Sequence, residues 1–160
     1  MQHTISVLVK NEAGALSRMI NLFSARGYNI ESLTVSTTID TKYARATIVV
    51  THCDDAVVEQ ILKQLHKLIP VIKVSDLTPD NSITRELVFI KVDAKSEVEA
   101  LLKIAAEFGA KIINVSPKTY TIQAVCNEEQ LKSLIELLRP IGIKDVVRSG
   151  AVSILLNNVL

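Results

Sequence analysis

The sequence has few of the residue types on which several large classes of protein depend. Among its 160 residues there is no tryptophan, aromatic residues make up 4%, and the only cysteines are Cys53 and Cys126. Two cysteines without CxxC spacing do not make a disulfide framework, so we interpret both as reduced packing residues. The scarcity of aromatic residues also argues against a sheet that stacks the bases of RNA.

An excess of charge of one sign and long apolar runs are also lacking. The chain has 18 Lys and Arg against 17 Asp and Glu, so no overall field attracts nucleic acid or an anionic membrane surface. No apolar run approaches the roughly 20 residues of a membrane helix, and the start of the chain does not have the pattern of a signal peptide. We therefore expect a cytoplasmic protein that binds neither nucleic acid nor a membrane.

The chain lacks the residue combinations typical of an active site. His3, His52 and His66 fall on different predicted elements, and there is no Ser-His-Asp or HExxH pattern, GxGxxG motif or P-loop. His52 and Cys53 are adjacent, and neighbours on a strand point to opposite faces, which makes a poor metal pair. We expect no intrinsic catalysis, no metal site and no phosphate-rich cofactor.

Apolar residues, by contrast, are abundant at 48% of the chain, and their spacing predicts secondary structure. Alternation of apolar and polar residues predicts strands at 3–10, 28–37, 43–51 and 71–77. Helical spacing predicts one helix from Ala15 to a stop at Gly27, and another that begins near Asp54 and ends at Pro70. The order is βαββαβ.

The same order returns in the second half of the chain. We predict an α+β fold of two consecutive ferredoxin-like units, at residues 1–77 and 85–160, joined by a polar linker at 78–84. In each unit both helices should pack on one face of an antiparallel sheet. The other face carries Leu8 and Val49 in the first unit, which predicts that another sheet or subunit covers it and that the protein is an oligomer.

A constant offset lays the second half over the first and shows what the two halves share. It places Ile5 on Leu87 and Gly27 on Gly109. Three polar or small residues of the first half, however, have different counterparts in the second half: Asn11, Gly14 and Asn29 fall on Asp93, Ser96 and Lys111. The second unit is therefore predicted to lack a feature of the first.

That feature is the polar turn "KNEAG" at the start of the first helix. The first N–H groups of a helix are unpaired and favour anions, and Gly14 lets a ligand approach the backbone closely. The side-chain oxygens of Asn11 and Asn29 suit an ammonium group, so the pattern favours a free amino acid as ligand. We expect Asn29 to lie near the turn. The simpler alternative is an ordinary turn, in which Asn11 caps the helix and Gly14 supplies an unusual backbone angle.

A longer string contains this turn and resembles a known family. "HTISVLVKNEAGALSRMINLFSARGYNIESLTV", with "VVEQILKQLHKLIPVIKVSDL", "RELVFIKV" and "IKDVVRSG", is similar to the small, regulatory subunit of acetohydroxyacid synthase (acetolactate synthase) over residues 1–150. The resemblance implies an N-terminal ACT domain, a C-terminal ACT-like domain and a homodimer. It also implies that this chain activates a separate, large catalytic subunit and makes it inhibitable by valine or another branched-chain amino acid.

The resemblance places the effector at the interface between paired ACT domains. The residues it assigns to the site are Asn11, Gly14 and Asn29, with Glu12, Ala13, Ala15, Leu16 and Ile30 as neighbours. It implies no cofactor on this chain, and thiamine diphosphate, Mg and FAD on the catalytic subunit. The alternative function is a free-standing ACT-type amino-acid sensor that controls another partner.

Two segments depart from the family pattern. The hairpin "STTIDTKYARA" keeps Arg45 but has no proline-containing acidic turn. The tail "AVSILLNNVL" is apolar where relatives commonly end in a short Ser-Arg-Gly-containing run. The sequence does not assign a partner to this tail.

Overall fold

The computed structural model describes residues 2–78, 82–94 and 98–156. Its contacts divide the chain into two units, one of residues 1–84 with 151–160 and one of residues 85–150. The elements are β1 (Gln2–Lys10), α1 (Ala15–Ala25), β2 (Ile30–Thr37), β3 (Tyr43–Thr51), α2 (Asp55–His66), β4 (Val71–Asp76), β5 (Ser82–Asp93), α3 (Val98–Glu107), β6 (Lys111–Val115), β7 (Thr119–Cys126), α4 (Glu128–Leu138), β8 (Ile143–Arg148) and β9 (Val152–Leu155). The predicted α+β class and the repeated βαββαβ order are confirmed.

The first unit is built on an antiparallel sheet of order β2-β3-β1-β4. Alternate residues of β1 and β3 pack against α1 and α2, and the buried cluster includes Ile5, Val7, Val9, Ala44, Ala46, Ile48, Val50, Met19, Phe23, Val58, Ile61 and Leu65. Asp54 caps α2 by accepting a hydrogen bond of 2.8 Å from Val57 N. This helix ends at His66, earlier than Pro70, because turn hydrogen bonds already lead the chain out of the helix at Lys67 and Leu68.

The second unit repeats this architecture with the strand order β6-β7-β5-β8. Its core joins β5 and β7 to α3 and α4, with Ile90, Leu101 and Leu134 fully or almost fully buried. α4 begins with a capping box, in which Asn127 and Gln130 each bond the other's backbone N–H. Both cysteines are free and buried, as expected. None of the described helices is both long and apolar enough to cross a membrane.

The overlay of the two halves was wrong by one residue in the first strand. Lys10 and Asp93 are the last residues of β1 and β5, and they occupy equivalent places. Each pairs with the first residue of the third strand of its unit, and each donates its backbone N–H to a carbonyl just before the fourth strand. Ile5 therefore corresponds to Val88 rather than Leu87, and both Ile5 and Val88 are completely buried. The left-handed glycines after α1 and α3, Gly27 and Gly109, do correspond as predicted. The second unit therefore has one residue fewer than the first between its first strand and the end of its first helix.

The ends of the second predicted domain also differ from the prediction. β5 begins at Ser82, inside the predicted linker 78–84, and the described tail residues 151–156 group with the first unit rather than with 85–150. The tail forms β9, which pairs with β5, and Ala151 N donates to Ser32 Oγ at 3.0 Å. The tail thus has a partner within its own chain.

The outer face of the first sheet, opposite α1 and α2, was predicted to be covered by another sheet or subunit, and part of it is buried without a second copy of the chain. Val49 is 2% exposed and Ser6 is 3% exposed within the chain itself. Tail residues 153–155 line a cavity on this face together with residues of β1, β3 and β4. Because the chain itself buries part of this face, the face does not by itself indicate an oligomer. A dimer must be argued from another surface.

Candidate functional site

The polar turn before α1 leaves backbone donors free at a helix N-terminus. Gly14 has φ 83°, in the left-handed region that glycine adopts without strain, and no side chain caps the helix. Ala15 N donates to Glu12 O at 3.2 Å, but no described residue accepts a hydrogen bond from Leu16 N or Ser17 N. These donors lie at the positive end of the helix dipole.

The first turn of α1 also favours an anion. α1 has no acidic residue in its first turn, whereas α2 has Asp55 and α4 has Glu128 and Glu129 there. Space is available as well, because a Cβ added to Gly14 would meet no described atom within 4 Å. The beginning of α1 can therefore accept a small anion such as a carboxylate without moving the protein.

Asn11 is held by the turn that joins β2 to β3. Asn11 N donates to Lys42 O at 2.8 Å, and Asn11 Nδ2 donates to Thr41 O at 2.9 Å. With Nδ2 engaged, Asn11 Oδ1 receives no hydrogen bond from the described residues and remains an acceptor. Asn11 therefore does not cap α1, contrary to the simpler interpretation of the sequence. The contact with Thr41 was not predicted, because it joins residues far apart in the chain.

The predicted neighbours fall into two places. Glu12, Ala13 and Leu16 surround the turn with exposed side chains, while Ala15 is buried beneath it at 4% exposure. Ile30 lies elsewhere, at the start of β2. The structure therefore brings together all of the predicted site except Asn29 and Ile30.

Asn29 lies at the opposite end of the sheet from the turn. Ile30 pairs with Val50, which pairs with His3 near the start of β1, whereas Asn11 follows the end of β1. Eight residue steps of about 3.3 Å, from His3 to Asn11, separate these two levels, which is about 26 Å. The expectation that Asn29 lies near the turn is therefore wrong for a single chain.

The second unit has no equivalent of Asn11. Ala94 occupies its place, since Ala94 N donates to Lys118 O as Asn11 N donates to Lys42 O. Ser96, the predicted counterpart of Gly14, lies outside the described residues. Within the described part of the chain, the arrangement of Asn11 and a free helix N-terminus belongs to the first unit.

Both units match known protein families. Residues 5–73 match the model "AHAS small subunit-like ACT domain", and residues 85–156 match the model "Small subunit of acetolactate synthase". Over 159 residues the chain is 45% identical to a probable acetolactate synthase small subunit of Archaeoglobus fulgidus, and the match covers 99% of each chain. It is 44% identical to the acetolactate synthase small subunit of Aquifex aeolicus, over 95% of this chain and 80% of the relative.

A solved structure has the same fold over the whole chain. The crystal structure of the acetolactate synthase small subunit from Thermotoga maritima superposes with a TM-score of 0.88. Its sequence is 33% identical, and the match covers 99% of both chains. The similarity therefore extends through both units and includes the turn before α1.

Proposed function

This chain belongs to the family of acetolactate synthase small subunits, and we propose that it activates the large catalytic subunit and makes it sensitive to feedback inhibition by valine. In this proposal the chain itself performs no catalysis. Thiamine diphosphate, Mg and FAD belong to the catalytic subunit. The observation that carries the proposal is the open N-terminus of α1, with Gly14 in the left-handed region and backbone donors that have no acceptor among the described residues.

The turn supplies both halves of an amino-acid site. The N–H groups of Leu16 and Ser17 bind the valine carboxylate, and no acidic residue of the first turn opposes it. Asn11 Oδ1 accepts a hydrogen bond from the ammonium group, and the bond from Nδ2 to Thr41 O fixes its orientation. Leu16, 38% exposed, offers apolar surface to the isopropyl group.

Asn29 joins this site only from a second copy of the chain. β2 is an edge strand of the first sheet, and a two-fold dimer that pairs two β2 strands antiparallel inverts one sheet relative to the other. Ile30 of the second copy then lies beside Thr37. Thr37 pairs with Ala44, and Ala44 pairs with Val9 near the end of β1. Asn29 of the second copy is thereby brought to the end of the sheet that carries the turn.

The resulting gap fits one amino acid. Strand spacings of about 4.8 Å place β2 of the second copy about 10 Å from β3 and about 14 Å from β1. The bond from Asn11 to Thr41 holds the turn on the β3 side of this gap. An amino acid about 5 Å long with a hydrogen bond of about 2.9 Å on either side spans about 11 Å. Valine therefore links the two copies and favours one dimer arrangement over others.

A mixing experiment tests whether the site is shared between two chains. Gly14→Asp and Asn29→His should each abolish valine binding as pure homodimers, because each site then contains one altered half. A heterodimer of the two variants has one site with both changes and one site with neither. Random reassembly should therefore restore about a quarter of the wild-type valine sites, measured by calorimetric titration. If both residues act within one chain, mixing restores nothing.

Reconstitution tests the regulatory role. Adding this chain to a purified large subunit of acetolactate synthase should raise acetolactate production, and valine should then lower it. Valine and the large subunit bind to the same chain, so their effects on each other are reciprocal. If valine changes the affinity between this chain and the large subunit by some factor, the large subunit must change the affinity for valine by the same factor. If the chain binds valine but leaves acetolactate production unchanged, the free-standing amino-acid sensor is the correct function.

A further inference from the structure

The outer face of the first sheet contains a cavity lined by two cationic side chains, one on each side of the same residue. Arg45 on β3 and Lys73 on β4 are both direct cross-strand neighbours of Leu8 on β1. Their Cα atoms are therefore about 10 Å apart, two strand spacings, and both side chains line the same cavity. Two long cationic side chains at this separation can reach one anion placed above Leu8.

Neither cation is neutralised within the described part of the chain. No described carboxylate forms an ion pair with Arg45 or Lys73, although six other Lys and Arg side chains are paired in this way: Lys63, Lys103, Lys132, Arg139, Lys144 and Arg148. Among the residues that the structure describes, no acidic side chain lines the cavity either. The positive charge there is consequently available to a ligand.

A row of hydroxyl groups lies beside the cationic row. Ser6 on β1 has Thr47 on β3 and Ser75 on β4 as its cross-strand neighbours. Arg45 Nη1 donates to Ser6 Oγ at 3.4 Å, which directs the guanidinium group along the floor of the cavity. Ser153 of the tail lines the cavity and is held by a hydrogen bond of 2.6 Å to Thr84.

The second unit provides an internal control for these positions. The residues that take the places of Leu8, Arg45 and Lys73 are Lys91, Thr121 and Asp145, as the strand registers show. Those of Ser6, Thr47 and Ser75 are Phe89, Gln123 and Val147. The fold therefore does not need two cations and three hydroxyls on this face, and their presence in the first unit calls for another explanation.

The remainder of the wall is apolar. Leu8 and Leu77 come from the sheet side, and Ile154 and Leu155 come from the tail. The volume of the cavity, about 280 Å³, lies at the small end of known ligand pockets, which excludes a nucleotide. We propose that this outer-face cavity binds a small organic monocarboxylate with a short apolar chain, whose carboxylate lies between Arg45 and Lys73.

The same site discriminates against free amino acids. An ammonium group next to the carboxylate would lie close to two cations, with no carboxylate of the described residues to accept it. The ligand class is therefore a carboxylic acid without an amino group, such as a fatty or 2-oxo acid of about three to six carbons. This site lies on the face of the sheet opposite the turn at Gly14, so the two sites are separate.

Calorimetric titration with 3-methylbutanoate tests the proposal, because this acid has the carbon skeleton of valine without the ammonium group. The acid should bind saturably to the full chain, and 3-methylbutan-1-ol, which lacks the carboxylate, should bind at least about tenfold more weakly. Arg45→Gln and Lys73→Gln should each weaken binding of the acid at least about tenfold. Both positions are exposed, so these variants should fold normally.

Matched variants separate this site from the valine site and from general charge effects. Lys91→Gln removes a cation from the equivalent row of the second unit and should leave binding of 3-methylbutanoate unchanged. Gly14→Asp should also leave it unchanged while abolishing valine binding. Failure of the acid to bind, equal binding of inorganic phosphate, or full affinity in both Arg45→Gln and Lys73→Gln would overturn the proposal without affecting the valine site.

Discussion

Gly14→Asp is the sharpest test of the turn as an effector site. The new carboxylate would lie beside the N–H groups that bind the ligand carboxylate in our proposal. A Cβ at this position meets no described atom within 4 Å, so no neighbouring group displaces it. Two like charges about 5 Å apart repel by about 3 kcal/mol at an effective dielectric constant of about 20. That energy corresponds to an increase of roughly 150-fold in the Kd of valine.

A neutral substitution at the same position separates repulsion from strain. Gly14 has φ 83°, so Gly14→Asp and Gly14→Asn carry a similar backbone cost of about 1–2 kcal/mol. The asparagine side chain has almost the same shape as the aspartate side chain but carries no charge.

Calorimetric titration with valine, together with thermal melts, distinguishes the two effects. Both variants should melt at a lower temperature than the wild type. Gly14→Asn should keep most of its affinity for valine, while Gly14→Asp should lose it and should still activate the catalytic subunit. An equal loss of valine affinity in both variants would show that strain or bulk at residue 14, rather than charge, controls binding. Unchanged affinity in Gly14→Asp would refute the assignment.

Three further predictions concern stability. Deletion of residues 151–160 removes the Thr84–Ser153 and Ala151–Ser32 hydrogen bonds. It should lower the free energy of unfolding by about 2 kcal/mol and leave valine binding unchanged. An unchanged urea midpoint would contradict the stabilising role of the tail on the outer face of the first sheet. Arg148→Met leaves the buried Glu86 carboxylate without its two-bond partner and should cost about 1–3 kcal/mol in urea unfolding, whereas Arg148→Lys should recover part of this loss. Burial, and then the Glu86 carboxylate, raise the pKa of the Cys126 thiol above its usual value. Its contribution to stability is therefore complete below the usual thiol pKa and is lost as the pH rises through the raised pKa. Cys126→Ala should remove this alkaline decrease in the free energy of unfolding, and an identical decrease in the variant would disprove that Cys126 causes it.

The periodicity of apolar residues was enough to predict nearly all of the regular structure. Alternation in β1 and β3 and helical spacing in α1 and α2 are local patterns, and each element buries the stripe that its own sequence supplies. The turn at Gly14 was also predictable, because a glycine before a helical run, without an acidic first turn, has physical consequences that require no knowledge of distant residues. The family string then specified a ligand for it.

The sequence could not determine which residues meet across the sheet. The strand register places Asn29 about 26 Å from the turn, and this distance depends on how β2 pairs with β3. The one-residue shift between the two units, the strand in the apolar tail and the convergence of Arg45 and Lys73 over Leu8 likewise come from strand pairing. Such pairings join residues distant in the chain, so no local pattern specifies them. Local sequence therefore determined the elements and the turn with its open helix N-terminus, whereas tertiary structure decided which distant residues lie together.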